Sequence, residues 1–193
     1  ELNPDLLVAA IGRILGIDPP EVSEAYRDKL RALTAAVPKR EQTLCPGCPH
    51  RASFWSIREA LQRDHRGGFV CGDIGCYAMA SLFPAAGFHT SKTLHSMGSG
   101  TGIASGFGRW GPFGMEQPVL AVCGDSTFYH AAIPALINAV HQRANITFIA
   151  LDNSGTAMTG FQPHPGIDVN AMGEKTPMVD IAALCRATGA PVV

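Results

Sequence analysis

The sequence predicts an α/β domain with a mostly parallel central sheet flanked by helices, and three adjacent segments carry that prediction. Val119-Leu120-Ala121-Val122-Cys123 is a continuous apolar run that ends in Gly124-Asp125-Ser126, the texture of a strand buried on both faces. Ile133, Leu136, Ile137 and Val140 then fall at i, i+3, i+4 and i+7, one face of an amphipathic helix. Ile146 to Leu151 is a second apolar run, ending in Asp152-Asn153. Strand, helix and strand in that order make a βαβ unit, with parallel strands and a right-handed crossover. Both strands then end at the same edge of the sheet. Asp125 and Asn153 are expected as neighbours there, where α/β sheets bind ligands.

The other elements follow in chain order. Leu6, Leu7, Ala10, Ile11, Ile14 and Leu15 recur at helical spacing. Asp18-Pro19-Pro20 stops that helix, because proline lacks the amide hydrogen a helix interior needs. A second helix, rich in Glu, Lys, Arg and Ala, is expected over residues 21–36, and residues 39–43 read as a polar linker. Residues 1–43 are therefore expected as a helical lead-in and linker, and residues 44–193 as the α/β domain. Helix signals run from Ala52 to Arg63 until Gly67-Gly68 breaks them, and Phe69-Val70-Cys71 reads as a short buried strand. Glycines cluster between Gly98 and Gly114, which allows backbone to approach a ligand closely. Ile181, Leu184, Cys185 and Thr188 give a last helix face with Gly189 as its stop. Ala190-Pro191-Val192-Val193 reads as the start of another strand. Together with Glu1 in place of an initiating Met, it predicts that the native chain is longer.

Composition narrows the function classes. Of 193 residues 46% are hydrophobic and 16% charged, which supplies a core and excludes general disorder. A net charge of -1 gives no overall attraction to nucleic acid or to an anionic membrane, and neither is expected as a partner. A spanning helix needs about 18 to 20 uninterrupted apolar residues. No stretch supplies them, and no secretory signal pattern is read. Six cysteines are too few for a disulfide scaffold of this length. Cys45-Pro-Gly-Cys48 has the C-x-x-C spacing of metal, cluster or redox chemistry in a reducing compartment, so the cytoplasm is the expected location.

Asp125 offers a hard carboxylate oxygen of the kind Mg²⁺ takes. The Asn153 amide offers a second oxygen and the Gly155 carbonyl a third. Ser126 and Thr127 follow at the turn, where backbone N–H groups can cradle a diphosphate. The same residues also describe a strand-end aspartate capping a helix and a turn asparagine. Their pairing across one βαβ unit favours the metal.

On these residues the sequence resembles the thiamine diphosphate motif, in which a Gly-Asp turn is later followed by an Asn. More specifically, Gly124-Asp125-Ser126-Thr127-Phe128, Leu136-Ile137-Asn138-Ala139-Val140, Asn145-Ile146-Thr147 and Leu151-Asp152-Asn153 through Thr156-Ala157-Met158-Thr159-Gly160 resemble the 2-oxoacid:ferredoxin oxidoreductases. So do Cys45-Pro-Gly-Cys48-Pro-His50-Arg51 and Gly72-Asp73-Ile74-Gly75-Cys76. Within that family the large subunit of the indolepyruvate type is the best match, over residues 45–180. The resemblance implies a thiamine diphosphate-binding fold, the half of a thiamine enzyme that grips the diphosphate. It implies oxidative decarboxylation of an aryl 2-oxoacid such as indolepyruvate with coenzyme A, giving the acyl-CoA, CO₂ and reduced ferredoxin. The implied cofactors are thiamine diphosphate, Mg²⁺ and a [4Fe-4S] cluster. The implied partners are a pyrimidine-binding domain and small subunit of the same enzyme, and ferredoxin. Implied cofactor-binding residues are Ser96, Met97, Gly98, Ser99, Gly124, Asp125, Ser126, Thr127, Asn153, Gly155, Thr156, Ala157 and Met158, together with His50, which would face the cofactor as a catalytic residue.

Cys45, Cys48 and Cys76 provide three of the four ligands that zinc or a [4Fe-4S] cluster takes. Residue types alone do not separate the two metals. The resemblance implies the cluster, with a fourth cysteine further along the family's chain. Cys71, Cys123 and Cys185 read as core residues. His65, His130 and His141 read as surface or cap residues, and His164 as a loop residue at a substrate entrance. The edge formed by residues 153–166 is expected to be open and held by few contacts. Two other readings stand beside this one. A non-redox thiamine-dependent decarboxylase or lyase has no use for the three cysteines. A non-catalytic zinc-binding module has no use for Asp125 and Asn153.

Overall fold

Phe69–Cys71 (β1), Ser91–Thr93 (β2), Val119–Gly124 (β3) and Thr147–Leu151 (β4) form one sheet in the order β2-β1-β3-β4, and every pairing is parallel. The computed structural model describes residues 4–19, 22–38, 43–82 and 90–193. The chain divides into two units, residues 1–40 and 41–193. The first holds helices α1 (Pro4–Leu15) and α2 (Glu24–Ala36). The second holds the sheet with α3 (Pro49–Asp64), α4 (Met79–Leu82), α5 (Ser99–Phe107), α6 (Asp125–Thr127), α7 (Ile133–His141) and α8 (Ile181–Ala187). No described helix is long and apolar enough to cross a membrane.

Strand β3 sits at the centre because it is apolar on both sides. All six of its residues are buried. Successive side chains point to opposite faces of a strand, which splits the run between two cores. Leu120 and Val122 pack with Phe54 and Ile57 of α3, Val70 of β1 and Tyr77. Val119 and Ala121 pack on the other face with Cys71 and with Ala104 of α5. Cys123 joins Phe128, Leu136 of α7 and Cys185 of α8. Burying a side chain of the size of Phe54 or Val122 contributes roughly 1.5–3 kcal/mol each.

The chain leaves β1 outward to β2, and later leaves β3 outward to β4 in the opposite direction. The strand order therefore reverses between β1 and β3, and the crevice beyond their carboxyl ends is the position at which open α/β sheets bind ligands. The β3–β4 register, from Leu120 opposite Thr147 to Gly124 opposite Leu151, brings both strands to an end together. Asp125 and Asn153 leave the sheet side by side, as the apolar runs predict. After α6 the backbone widens into a π-turn over Phe128–Ala132 before α7 resumes the α-helical winding.

Four details differ from the sequence reading. Helix α3 starts at Pro49 rather than Ala52, because proline's missing N–H costs nothing in the first turn. Helix α2 starts at Glu24, with the Ser23 hydroxyl accepting from Tyr26 N; Glu21 and linker residues 39–42 lie outside the described residues. Strand β2, Ser91-Lys92-Thr93, has no apolar run to announce it and forms by pairing with β1. Residues 190–193 form no strand: Pro191 has no amide hydrogen for a ladder. In α1 the periodic residues Leu6, Leu7, Ile11, Ile14 and Leu15 do share a helix, and all are exposed.

Helix α5 crosses β1 at a glycine. A Cβ on Gly100 would lie 2.7 Å from the Gly72 carbonyl oxygen and 3.0 Å from that of Cys71, whereas one on Gly102, in the same helix, would meet nothing within 4 Å. Gly100→Ala is expected to destabilise the domain by about 1–3 kcal/mol through overpacking. Gly102→Ala should stabilise it by about 0.5–1 kcal/mol through helix propensity. Denaturant unfolding of the two variants checks this; equal effects would contradict the packing of α5 on β1.

Candidate functional site

A cavity of about 150 Å³ opens at the switch point, between the loop that follows β1 and the turn that follows β3. Asp125 is its anchor. The side chain is buried, and both carboxylate oxygens are engaged. Oδ1 accepts from Ser126 N at 2.8 Å, while Oδ2 accepts from Asn153 N at 3.1 Å, Gly155 N at 3.3 Å and His164 Nε2 at 2.9 Å. Burial alone would push this carboxyl up. The hydrogen bonds from Ser126 N, the His164 ring and Asn153 N outweigh it and hold the group below the usual carboxylate range.

The Asn153 amide tests whether these residues suit a cation. One of its terminal atoms lies 3.3 Å from Asp125 Oδ2 and 2.6 Å from the Gly155 carbonyl oxygen. As a nitrogen it donates to both. As an oxygen it faces two other oxygens with no proton between, an arrangement that a bound cation would stabilise. Mg²⁺ takes oxygen ligands at about 2.0–2.1 Å in an octahedron, which sets neighbouring ligand oxygens about 3 Å apart. The donor set of Asp125, Asn153 and Gly155 therefore fits that ion. Around it stand the hydroxyls of Ser126, Thr127 and Thr156, with the Thr156 hydroxyl donating to Ser126 Oγ at 3.0 Å.

Gly124, Asp125, Ser126 and Thr127 all line this cavity, as do Asn153, Gly155, Thr156, Ala157 and Met158. His50 and Met97 join them from α3 and from the loop before α5. Ser96, Gly98 and Ser99 do not line it. Ser99 Oγ instead accepts from Ser96 N, and Gly98 caps α5 in the left-handed region at φ +86°. The carboxylate of Asp73 holds that cap, with Gly98 N donating to both of its oxygens at 2.9 and 2.8 Å.

His50 stands edge-on to Tyr77, with ring centroids 5.8 Å apart at 88°. Burial lowers its pKa, against the opposing pull of Asp125, so near neutral pH it is an uncharged imidazole in the cavity wall. Tyr77 closes the floor. Its hydroxyl donates to the Ile74 carbonyl at 2.9 Å, and burial pushes the phenol up to about 12.

Cys76 lines the same cavity and is half-buried. Burial pushes its thiol up, and Cys48 and Cys45 push it further. The Cys45–Cys48 turn is tied to α3 by Arg51, whose guanidinium donates to the carbonyls of Cys45 and Leu44. Among the described residues, no three His, Cys, Asp or Glu side chains are closed into a ready metal site. Cys71, Cys123 and Cys185 are buried core residues, and His65, His130 and His141 are exposed.

Sequence reasoning missed Tyr77, placed His164 at a substrate entrance, and gave Asp73 no role beyond the motif that contains it. His164 is not at an entrance: it is buried and bonded to Asp125. Residues 158–163 are exposed, as expected of an open edge, while Asn153 and Gly155 are tied to Asp125 and Thr156 bridges to Gln162. Asp73 repeats after β1 the Gly-Asp ending that Asp125 gives to β3, a signal present in the sequence. Tyr77 and His164 have no local signal.

A parallel sheet with this order and a buried carboxylate at its switch point is the frame shared by the family of diphosphate-binding thiamine domains. The chain belongs to that family: residues 73–193 match the thiamine pyrophosphate enzyme C-terminal TPP binding domain. Over its whole length it is also similar to proteins named indolepyruvate oxidoreductase subunit IorA. Identity is 38% over 196 positions with that of Methanothermobacter thermautotrophicus, 40% over 196 with that of Methanothermobacter marburgensis and 38% over 194 with that of Archaeoglobus fulgidus. The chain spans 29%, 29% and 30% of the lengths of these relatives.

Burial raises Asp73 to about 6, against the hydrogen bonds from Ile74 N and Gly98 N. Its folded value lies above its unfolded one of 3.8. Its contribution to stability is therefore full below the unfolded value and is lost as pH rises through about 6. Relative to Asp73→Asn, the wild type is expected to lose on the order of 2–3 kcal/mol between about pH 4 and pH 6. Parallel denaturation profiles of the two proteins check this, and identical pH slopes would contradict it.

Proposed function

We propose that this chain is the diphosphate-binding domain of a thiamine diphosphate-dependent 2-oxoacid:ferredoxin oxidoreductase acting on an aryl 2-oxoacid of the indolepyruvate kind. One observation carries the redox part: Cys76 lines the cavity that Asp125 anchors, and Cys48 and Cys45 contribute to the upward push on its thiol. A non-redox thiamine lyase has no need of thiols there, and a zinc module has no need of the Asp125–Asn153–Gly155 oxygens. The similarity to subunits named for indolepyruvate supports the substrate class.

In this reading Asp125, Asn153 and the Gly155 carbonyl hold Mg²⁺, and the hydroxyls of Ser126, Thr127 and Thr156 receive the diphosphate. Thiamine diphosphate, when bound, supplies the electron sink for decarboxylation. Met97, Ala157 and Met158 give the cavity apolar walls. The neutral His50 imidazole holds or releases a proton at a ring nitrogen. Cys45, Cys48 and Cys76 ligate a [4Fe-4S] cluster, with a fourth ligand from outside the three. The overall change converts the 2-oxoacid and coenzyme A to the acyl-CoA, CO₂ and a proton, while two electrons leave singly to two ferredoxins. A pyrimidine-binding domain and a small subunit complete the site. The free thiols suit the cytoplasm.

Asp125→Ala in the complete protein is expected to abolish Mg²⁺-dependent binding of thiamine diphosphate, since it removes both the charge and the anchor of the oxygen set. Calorimetry measures it, and undiminished binding would sink the assignment. Cys76→Ser is expected to remove one cluster's worth of iron while thiamine diphosphate still binds. Iron quantitation on anaerobically purified protein decides that, and an unchanged iron content would rule the cluster assignment out.

A further inference from the structure

We propose that His164 is a positioning residue for the Asp125 carboxylate, an uncharged donor that fixes its orientation toward Asn153 and Gly155 without cancelling its charge. This rests on the reading of Asp125, Asn153 and Gly155 as magnesium ligands.

The tautomer follows from the ring's two partners. Gly166 N donates to His164 Nδ1 at 3.0 Å, so Nδ1 is an acceptor and carries no hydrogen. The ring proton is therefore on Nε2, which faces Asp125 Oδ2 at 2.9 Å. His164 is buried, with a relative exposure of 9%, so water does not substitute for either partner.

The chemistry explains why a neutral imidazole suits this place. A Lys or Arg would neutralise the carboxylate and compete with a cation for it. Backbone N–H groups alone hold Oδ2 from one side, through Asn153 and Gly155. The imidazole adds a side-chain donor to Asp125. Its own position is set by Tyr129, whose ring lies 5.4 Å away at 33° and whose hydroxyl donates to the Val179 carbonyl. Tyr129 lies in the π-turn that follows Asp125, so the carboxylate and the support of its donor come from one continuous segment. Partners of this kind, which touch a ligating group and not the metal, typically change metal affinity by about 10–100-fold when removed.

The test is Mg²⁺ titration by calorimetry at saturating thiamine diphosphate, in the complete protein, for wild type, His164→Leu, His164→Gln and Asp125→Ala. Far-UV circular dichroism reports folding of each. His164→Leu keeps bulk and loses the donor, and is expected to weaken Mg²⁺ by about 10–100-fold. His164→Gln places a neutral amide N–H within reach of Oδ2 and is expected to bind within about threefold of wild type, in line with a donor role. If His164→Leu does not fold, His164→Gln alone carries the test, and weakening of Gln by more than about tenfold, comparable to loss of the donor, overturns the proposal. Wild-type affinity in a folded His164→Leu, with Asp125→Ala unable to bind, overturns the role of His164 and leaves the magnesium reading intact. Wild-type affinity in Asp125→Ala overturns both.

Discussion

A carboxylate at the bottom of a protein cavity is stable only if its surroundings replace the water it has lost. Asp125 does this with three backbone N–H groups and one imidazole. Those four donors come from three places: the turn after β3, the loop after β4, and the far side of that loop at His164. The need to satisfy one buried charge therefore draws together segments that β-pairing alone would leave apart. It also explains the position of the glycines and small residues around the cavity, since three of the donors are backbone groups that must approach the carboxylate directly.

The sheet makes that convergence possible. Parallel strands β3 and β4 end in register at Gly124 and Leu151, so consecutive loops begin on one line. The reversal of strand order between β1 and β3 opens a crevice next to that line. Into it the loop after β1 contributes Ile74, Gly75, Cys76 and Tyr77. Asp73, at the start of that loop, is a second buried carboxylate, and it spends its oxygens on the cap of α5. Two Gly-Asp endings on neighbouring strands thus have different tasks. One faces the cavity, and the other fastens the helix that forms its side. The cysteine turn is fastened in turn by Arg51, one residue after His50 in the helix that carries both.

The βαβ unit was legible because its signals are local: two apolar runs, an i, i+3, i+4, i+7 face between them, and polar residues at both strand ends. The convergence of Asp125 and Asn153 followed from the parallel arrangement. Strand β2 was not legible, because Ser91-Lys92-Thr93 owes its conformation to hydrogen bonds with β1 rather than to its own side chains. His164 was not legible for a related reason. Its partner lies 39 positions away, and nothing in Gln162-Pro163-His164-Pro165 distinguishes a buried donor from an exposed loop residue. Ser96 and Ser99 were placed at the site by resemblance, while the structure turns them to each other. The apolar spacing of α1 gave its helix correctly and gave no burial, since periodicity reports a face and not what covers it.

The π-turn at Phe128–Ala132 acts as a phase shifter between the site and the core. Each residue of an α-helix advances the side-chain direction by about 100°, and a π-turn takes up one extra residue. Upstream of it the chain is clocked to Asp125. Downstream it is clocked to Leu136 and its contacts with Cys123 and Cys185. The two clocks agree only because the widened turn absorbs the difference. A lineage that lost one residue here would gain a more regular helix and could keep either the carboxylate or the core in register, never both. The segment is thus closed to changes of length.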